Sequence, residues 1–138
     1  MDYRALGFAV EKFSKQLLKQ FGYVKDTTQT KRDVKTWDLC MKYQDKHLWC
    51  ECKTYKSQFV SPTSGNSLLK DIVMRKTIQQ IPDKDIVLLM VFSKIPSFQK
   101  DVIYKRYNIV VWDIDNLVFY CKESSSLLKQ LSQIFQRM

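Results

Sequence analysis

The stretch WDLCMKYQDKHLWCECKTY, residues 37 to 55, decides the fold. TWDLCMKY alternates like a strand, QDK turns the chain, and HLWCECKTY returns. Trp37, Leu39, Met41 and Tyr43 fall on one face of the first strand. On the second, Leu48, Cys50 and Cys52 share a small apolar face, and Trp49, Glu51 and Lys53 share the other. Three charges, Asp38, Glu51 and Lys53, therefore sit in what otherwise reads as a core hairpin. A two-residue turn at Gln44 and Asp45 sets Asp38 opposite Glu51, whereas a turn at Asp45 and Lys46 sets it opposite Lys53. Both registers gather the three charges on one face, and a slip of one residue scatters them.

Two carboxylates side by side repel each other. A divalent cation with oxygen ligands removes that repulsion. A lysine one pleat away can orient a water or stabilise charge that develops on a phosphate. Two acids and a lysine on a rigid sheet edge thus form a constellation suited to metal-dependent phosphodiester hydrolysis.

Outward from the hairpin, RALGFAVEKFSKQLLKQF (residues 4 to 21) has Leu6, Val10, Phe13, Leu17, Leu18 and Phe21 at helical spacing. Gly22 is placed to end that helix. YVK starts strand-like before a polar run, and SQFVSPTSGNS is a loop by composition. SLLKDIVMRKTIQQI is a second helix limited by Pro82. DIVLLMVFS and IVVWDI are apolar runs typical of strands covered on both faces. SFQKDVIYKRYN between them is a third helix, and the tail from Asn116 reads as one or two helices with Ser124 to Ser126 as a cap. The order predicts an α/β fold, a central mixed β-sheet flanked by helices. One domain is expected over residues 1–138, with a C-terminal helix of about 124–138 appended.

The 138 residues are 45% hydrophobic with three Gly and three Pro, which excludes a disordered chain. No apolar run approaches the ~18 residues of a membrane helix, and MDYRALGF lacks the layout of a secretory signal. Four cysteines lie mostly in apolar runs, so a cytoplasmic location is expected. Lys plus Arg number 23 against 14 Asp plus Glu, a net charge of +9 that favours a polyanionic partner, nucleic acid first.

Asp38, then twelve residues, then Glu51-Cys52-Lys53, resembles the D-x(n)-(D/E)-x-K signature of the PD-(D/E)xK nucleases. GFAVEKFSKQLLKQFGY looks like that family's opening helix, with Glu11 at its carboxylate position. VLLMVFSKIPSFQKDVIYKRYNIVVWDIDNL looks like the later strand–helix–strand of the Mrr-type branch, and archaeal Holliday-junction resolvases share the Glu11, Asp38, Glu51, Lys53 arrangement. The likeness covers roughly residues 5 to 120. It implies a restriction endonuclease-like fold and a metal-dependent endonuclease acting on DNA, restriction-like or structure-specific. Asp38 and Glu51 would bind Mg²⁺ or Mn²⁺ with the Cys52 carbonyl as third ligand. Lys53 would position the water, and Glu11 would touch the metal or hold a second ion. A homodimer is expected for double-strand cleavage or junction resolution. A nucleic-acid-binding module on the same fold, and a nuclease subunit active only in a larger complex, are the alternatives.

Lys56, Lys70, Arg75, Lys76 and Gln79 follow the motif and are candidates for contacting the nucleic acid. Cys50-x-Cys52 is poor zinc spacing and reads as core packing. His47, the one histidine, reads as a solvated turn residue, and Trp49 as cover for the sheet edge. Phe8, Phe13, Phe92 and Trp112 occupy periodic apolar positions and read as core.

Overall fold

The computed structural model describes residues 3–27, 37–54 and 68–138. The expected loop at 57–67 lies outside them. In chain order the described elements are α1 (Tyr3–Gln20), β1 (Val24–Lys25), β2 (Leu39–Tyr43), β3 (Lys46–Lys53), α2 (Leu68–Ile78), β4 (Ile86–Val91), α3 (Ser97–Tyr107), β5 (Ile109–Trp112), α4 (Ile114–Cys121) and α5 (Ser125–Arg137). The strands form one mixed sheet in sequential order, β1 to β5. β1, β2 and β3 run antiparallel, and β3, β4 and β5 run parallel. The α/β reading holds.

Two cores cover the two faces. On one, α1 (Val10, Phe13, Leu17), α4 (Leu117) and α5 (Leu131, Ile134) pack on Leu39, Met41, Leu48, Cys50, Leu88 and Met90. On the other, α2 (Leu69, Ile72) and α3 (Ile103) pack on Cys40, Trp49, Val87, Leu89, Val91 and Val111. β4 alternates between the cores residue by residue, which is why its sequence is apolar throughout. The tail forms two helices. Ser124 caps the second, its Oγ accepting from the Leu127 amide at 3.2 Å. That helix belongs to the same core as α1, and Gln130 Nε2 donates to Gln16 Oε1 at 2.7 Å.

Helix ends follow local chemistry. α1 ends at Gly22, whose φ is 91°, with the Tyr23 amide bonded back to Leu18 O at 3.2 Å. α2 ends with Gln80 at φ 54° and the Ile81 amide on Lys76 O at 3.1 Å. α4 starts at Asp113 with a capping box, Asp113 and Asn116 each accepting the other's amide.

Some expectations are corrected. Trp37 is not in phase with Leu39. β2 begins only at Leu39 after a bend at Trp37 and Asp38, so Trp37 packs in the α2-side core while Leu39 packs in the α1-side core. β3 is the middle strand of the five, not an edge, and Trp49 is buried with Nε1 donating to Asp85 Oδ2 at 3.1 Å. His47 is half-buried and its Nδ1 is paired with the buried Asp26 carboxylate. Phe8 is 71% exposed on the outer side of α1, although Phe13 and Phe92 are buried as expected.

Candidate active site

The register Leu39↔Cys50 and Tyr43↔Lys46 selects the Gln44–Asp45 turn. Gln44 adopts φ 56° there, the left-handed conformation that tight hairpins use. Of the two registers open in the sequence, this one brings Asp38 level with Glu51.

The two carboxyls meet through the backbone at the end of the hairpin. The Asp38 amide donates to Glu51 Oε1 at 3.3 Å, and the Cys52 amide donates to Asp38 Oδ2 at 2.7 Å. Because β2 stops at Leu39, the Asp38 side chain supplies the acceptor that a longer strand would have offered to β3. Its carboxylate is therefore fixed beside the Cys52 amide. Glu51 and Lys53 share the α2 side, as their alternation requires, with Lys53 Nζ 3.5 Å from Glu51 Oε2. The three charges are adjacent, but the bend at Asp38 turns its side chain toward Cys52 instead of leaving all three on one face.

Beside Asp38 lies a cavity of about 120 Å³ lined by Gly7, Val10, Glu11, Asp38, Cys52 and Thr54. α1 thus brings Glu11 to the same place. Glu11 is exposed and 3.8 Å from Lys15, one turn along the helix.

Arg75 is the residue whose position the sequence did not disclose. Its Nη2 donates to Glu51 Oε2 at 3.2 Å and to Asp71 Oδ2 at 2.7 Å, and its guanidinium carbon lies 4.8 Å from the centre of the Trp37 ring. The Asp71–Arg75 contact is an ion pair one turn apart on the helix surface. The bond to Glu51 joins residues 24 apart and depends on how α2 packs on the sheet.

Burial raises the Glu51 pKa above the ordinary carboxylate range. The Arg75 hydrogen bond and charge oppose this, while the adjacent Asp38 carboxyl adds to it. Cys50 is fully buried, and its hydrogen bond with Cys52, followed by burial, pushes its thiol well up. Its side chain packs in the α1-side core.

The remaining candidates disperse. Lys70 is exposed on α2. Lys76 Nζ donates to the Tyr107 and Asn108 carbonyls at 2.8 and 3.3 Å, capping the C-terminal end of α3. Gln79 Oε1 accepts from Trp37 Nε1 at 2.8 Å. Lys56 lies outside the described residues.

Asp38, Glu51, Glu11 and the Cys52 carbonyl form an all-oxygen donor set, suited in kind to Mg²⁺ or Mn²⁺. Among the described residues no three His, Cys, Asp or Glu side chains converge into a ready-made cation site. Glu51 Oε2 is engaged by Arg75 and Lys53. No protein-family model, curated protein or solved structure matches the chain.

Proposed function

We propose that this chain is a metal-dependent endonuclease with a restriction endonuclease-like fold, acting on DNA. The observation that carries the reading is the joined Asp38 and Glu51 pair with Lys53 on the Glu51 carboxylate. The order helix, three strands, helix, strand, helix, strand supports it. So does Glu11 on the cavity that Asp38 lines.

A divalent cation held by Asp38, Glu51 and the Cys52 carbonyl would polarise the phosphodiester and offset the charge that develops during hydrolysis. The chain's own residues do the rest. The Cys52 amide fixes the Asp38 carboxylate. Lys53, about one-third exposed, presents its ammonium where an attacking water can be oriented. The surplus of basic residues draws the polyanion in.

The purified protein should cut supercoiled plasmid, single-stranded DNA or a four-way junction in Mg²⁺ or Mn²⁺ but not in EDTA, and Lys53→Ala should abolish cutting. Salt-sensitive binding without metal-dependent cutting would overturn the nuclease in favour of a binding module or a subunit that acts only with partners. The engagement of Glu51 by Arg75 favours a site that is quiet until something displaces that contact.

A further inference from the structure

The Arg75 guanidinium serves two carboxylates of opposite character. The Glu51 side chain is 8% exposed and the Asp71 side chain is 62% exposed. Beneath the guanidinium lies the Trp37 ring, itself tied to Gln79. A planar cation on an aromatic platform can slide between neighbouring acceptors without leaving the ring.

We propose that Arg75 is a positioning residue that occupies Glu51 in the cation-free protein and passes to Asp71 when Glu51 takes up a divalent cation. The inference rests on the reading of Asp38 and Glu51 as a metal centre. A buried carboxylate beside a second carboxylate needs a counter-charge. Arg75 and Lys53 supply it on Glu51 Oε2. A divalent ion on the same carboxylate replaces that attraction with repulsion. Lys53 sits on the same strand as Glu51 and stays at the centre. Arg75 comes from a separate element and already holds its second acceptor at the shorter distance, 2.7 Å against 3.2 Å. Arg75 thus opposes the cation, and Asp71 assists it by receiving Arg75.

The two roles have opposite signatures, whereas a merely structural Arg75–Asp71 pair would give both variants the same one. Mn²⁺ binding to the cation-free 138-residue chain is measured by electron paramagnetic resonance at pH 8 and low salt. Arg75→Met should tighten binding about three- to tenfold and Arg75→Lys should restore it. Asp71→Asn should weaken binding by a similar factor, since Arg75 then lacks the exposed carboxylate that receives it from Glu51. Asp71 is exposed, so that variant reports on the exchange even if Arg75→Met fails to fold. Asp38→Asn identifies the site. If it leaves Mn²⁺ binding unchanged, the metal centre is overturned and this inference with it. If it weakens binding while Asp71→Asn does not, or while Arg75→Met and Asp71→Asn shift it the same way, the exchange is overturned and the centre stands.

Discussion

Asp38 and Glu51 are joined through the backbone, the Asp38 amide donating to Glu51 Oε1 at 3.3 Å. The Asp38 carboxylate has a different partner, the Cys52 amide at 2.7 Å. The contact that places Glu51 beside Asp38 therefore does not need the Asp38 charge.

Asp38→Asn should accordingly separate chemistry from folding. The side-chain oxygen of Asn still accepts from the Cys52 amide, and the like charge next to Glu51 disappears. Stability should change by less than about 1 kcal/mol in urea denaturation. Plasmid cleavage in Mg²⁺ should fall by about a hundredfold or more. A variant that is unfolded, or one that still cuts, would show that Asp38 has been given the wrong role.

Glu51 sets the pH dependence. Its folded pKa lies above the ordinary glutamate value of 4.5, chiefly because it is buried. The folded cation-free protein holds that proton more tightly than the unfolded chain does. Ionising Glu51 therefore lowers stability as pH rises from 4.5 through the raised value. In the cation-free protein the titration of Glu51 should therefore lie above 4.5, and a cation, which takes the carboxylate form, should draw it down. Arg75→Met removes the contact that opposes the shift, so without metal its Glu51 titration should move further up. A titration of the Glu51 carboxyl carbon by nuclear magnetic resonance, without metal, checks the order. Arg75→Met at or below the wild-type value would contradict it.

Much of this was written in the sequence in period two. The alternation of β3 placed Cys50 in one core and Trp49 in the other, and the continuous apolar run of β4 marked it as covered on both faces. Trp37 was misread because alternation was carried through a bend that no Gly or Pro announces. Phe8 was misread because it neighbours the apolar stripe of α1 without pointing along it. His47 and Asp26 meet only because β1 lies beside β2, a pairing that two residues of strand hardly signal. Arg75 was singled out as a candidate nucleic-acid contact, but its bond to Glu51 was not foreseen. A basic residue late in a helix looks like solvent-facing charge or a phosphate contact. Its place over Trp37 follows from the docking of α2 on the sheet, which no local pattern encodes.

Asp113 should matter for stability without any part in cleavage. The carboxylate is buried, and it accepts from the Ile95 amide at 3.0 Å, the Asn116 amide at 3.2 Å and Lys100 Nζ at 3.2 Å. Burial pushes its pKa up, but these donors outweigh that and hold it below the ordinary 3.8. The stability it contributes is thus present above pH 3.8 and is lost as pH falls through the lowered folded value. Asp113→Ala removes the cap of α4 and leaves Lys100 without this carboxylate, at a cost of about 3 kcal/mol at pH 7. Urea denaturation of the variant and the wild type at pH 7 and pH 3 should show the difference shrinking in acid.

Gly22 and Gln44 are both left-handed, at φ 91° and φ 56°, and should respond to substitution in opposite directions. At Gly22 an added Cβ meets Tyr43 Cε2 at 2.6 Å. The ring would have to swing away, disturbing its contact with Tyr23, whose ring centre is 5.8 Å distant. Gly22→Ala therefore combines a conformational cost with a displaced aromatic, about 1–3 kcal/mol in all. Gln44 already bears the conformational cost in an exposed turn. Gln44→Gly relieves it and should stabilise by about 0.5–1 kcal/mol, less the extra freedom that glycine gives the unfolded chain. Urea midpoints for the two single variants decide the matter. If Gln44→Gly were the more damaging of the two, the hairpin would not be turning at Gln44 and Asp45, and the register that brings Asp38 level with Glu51 would fall with it.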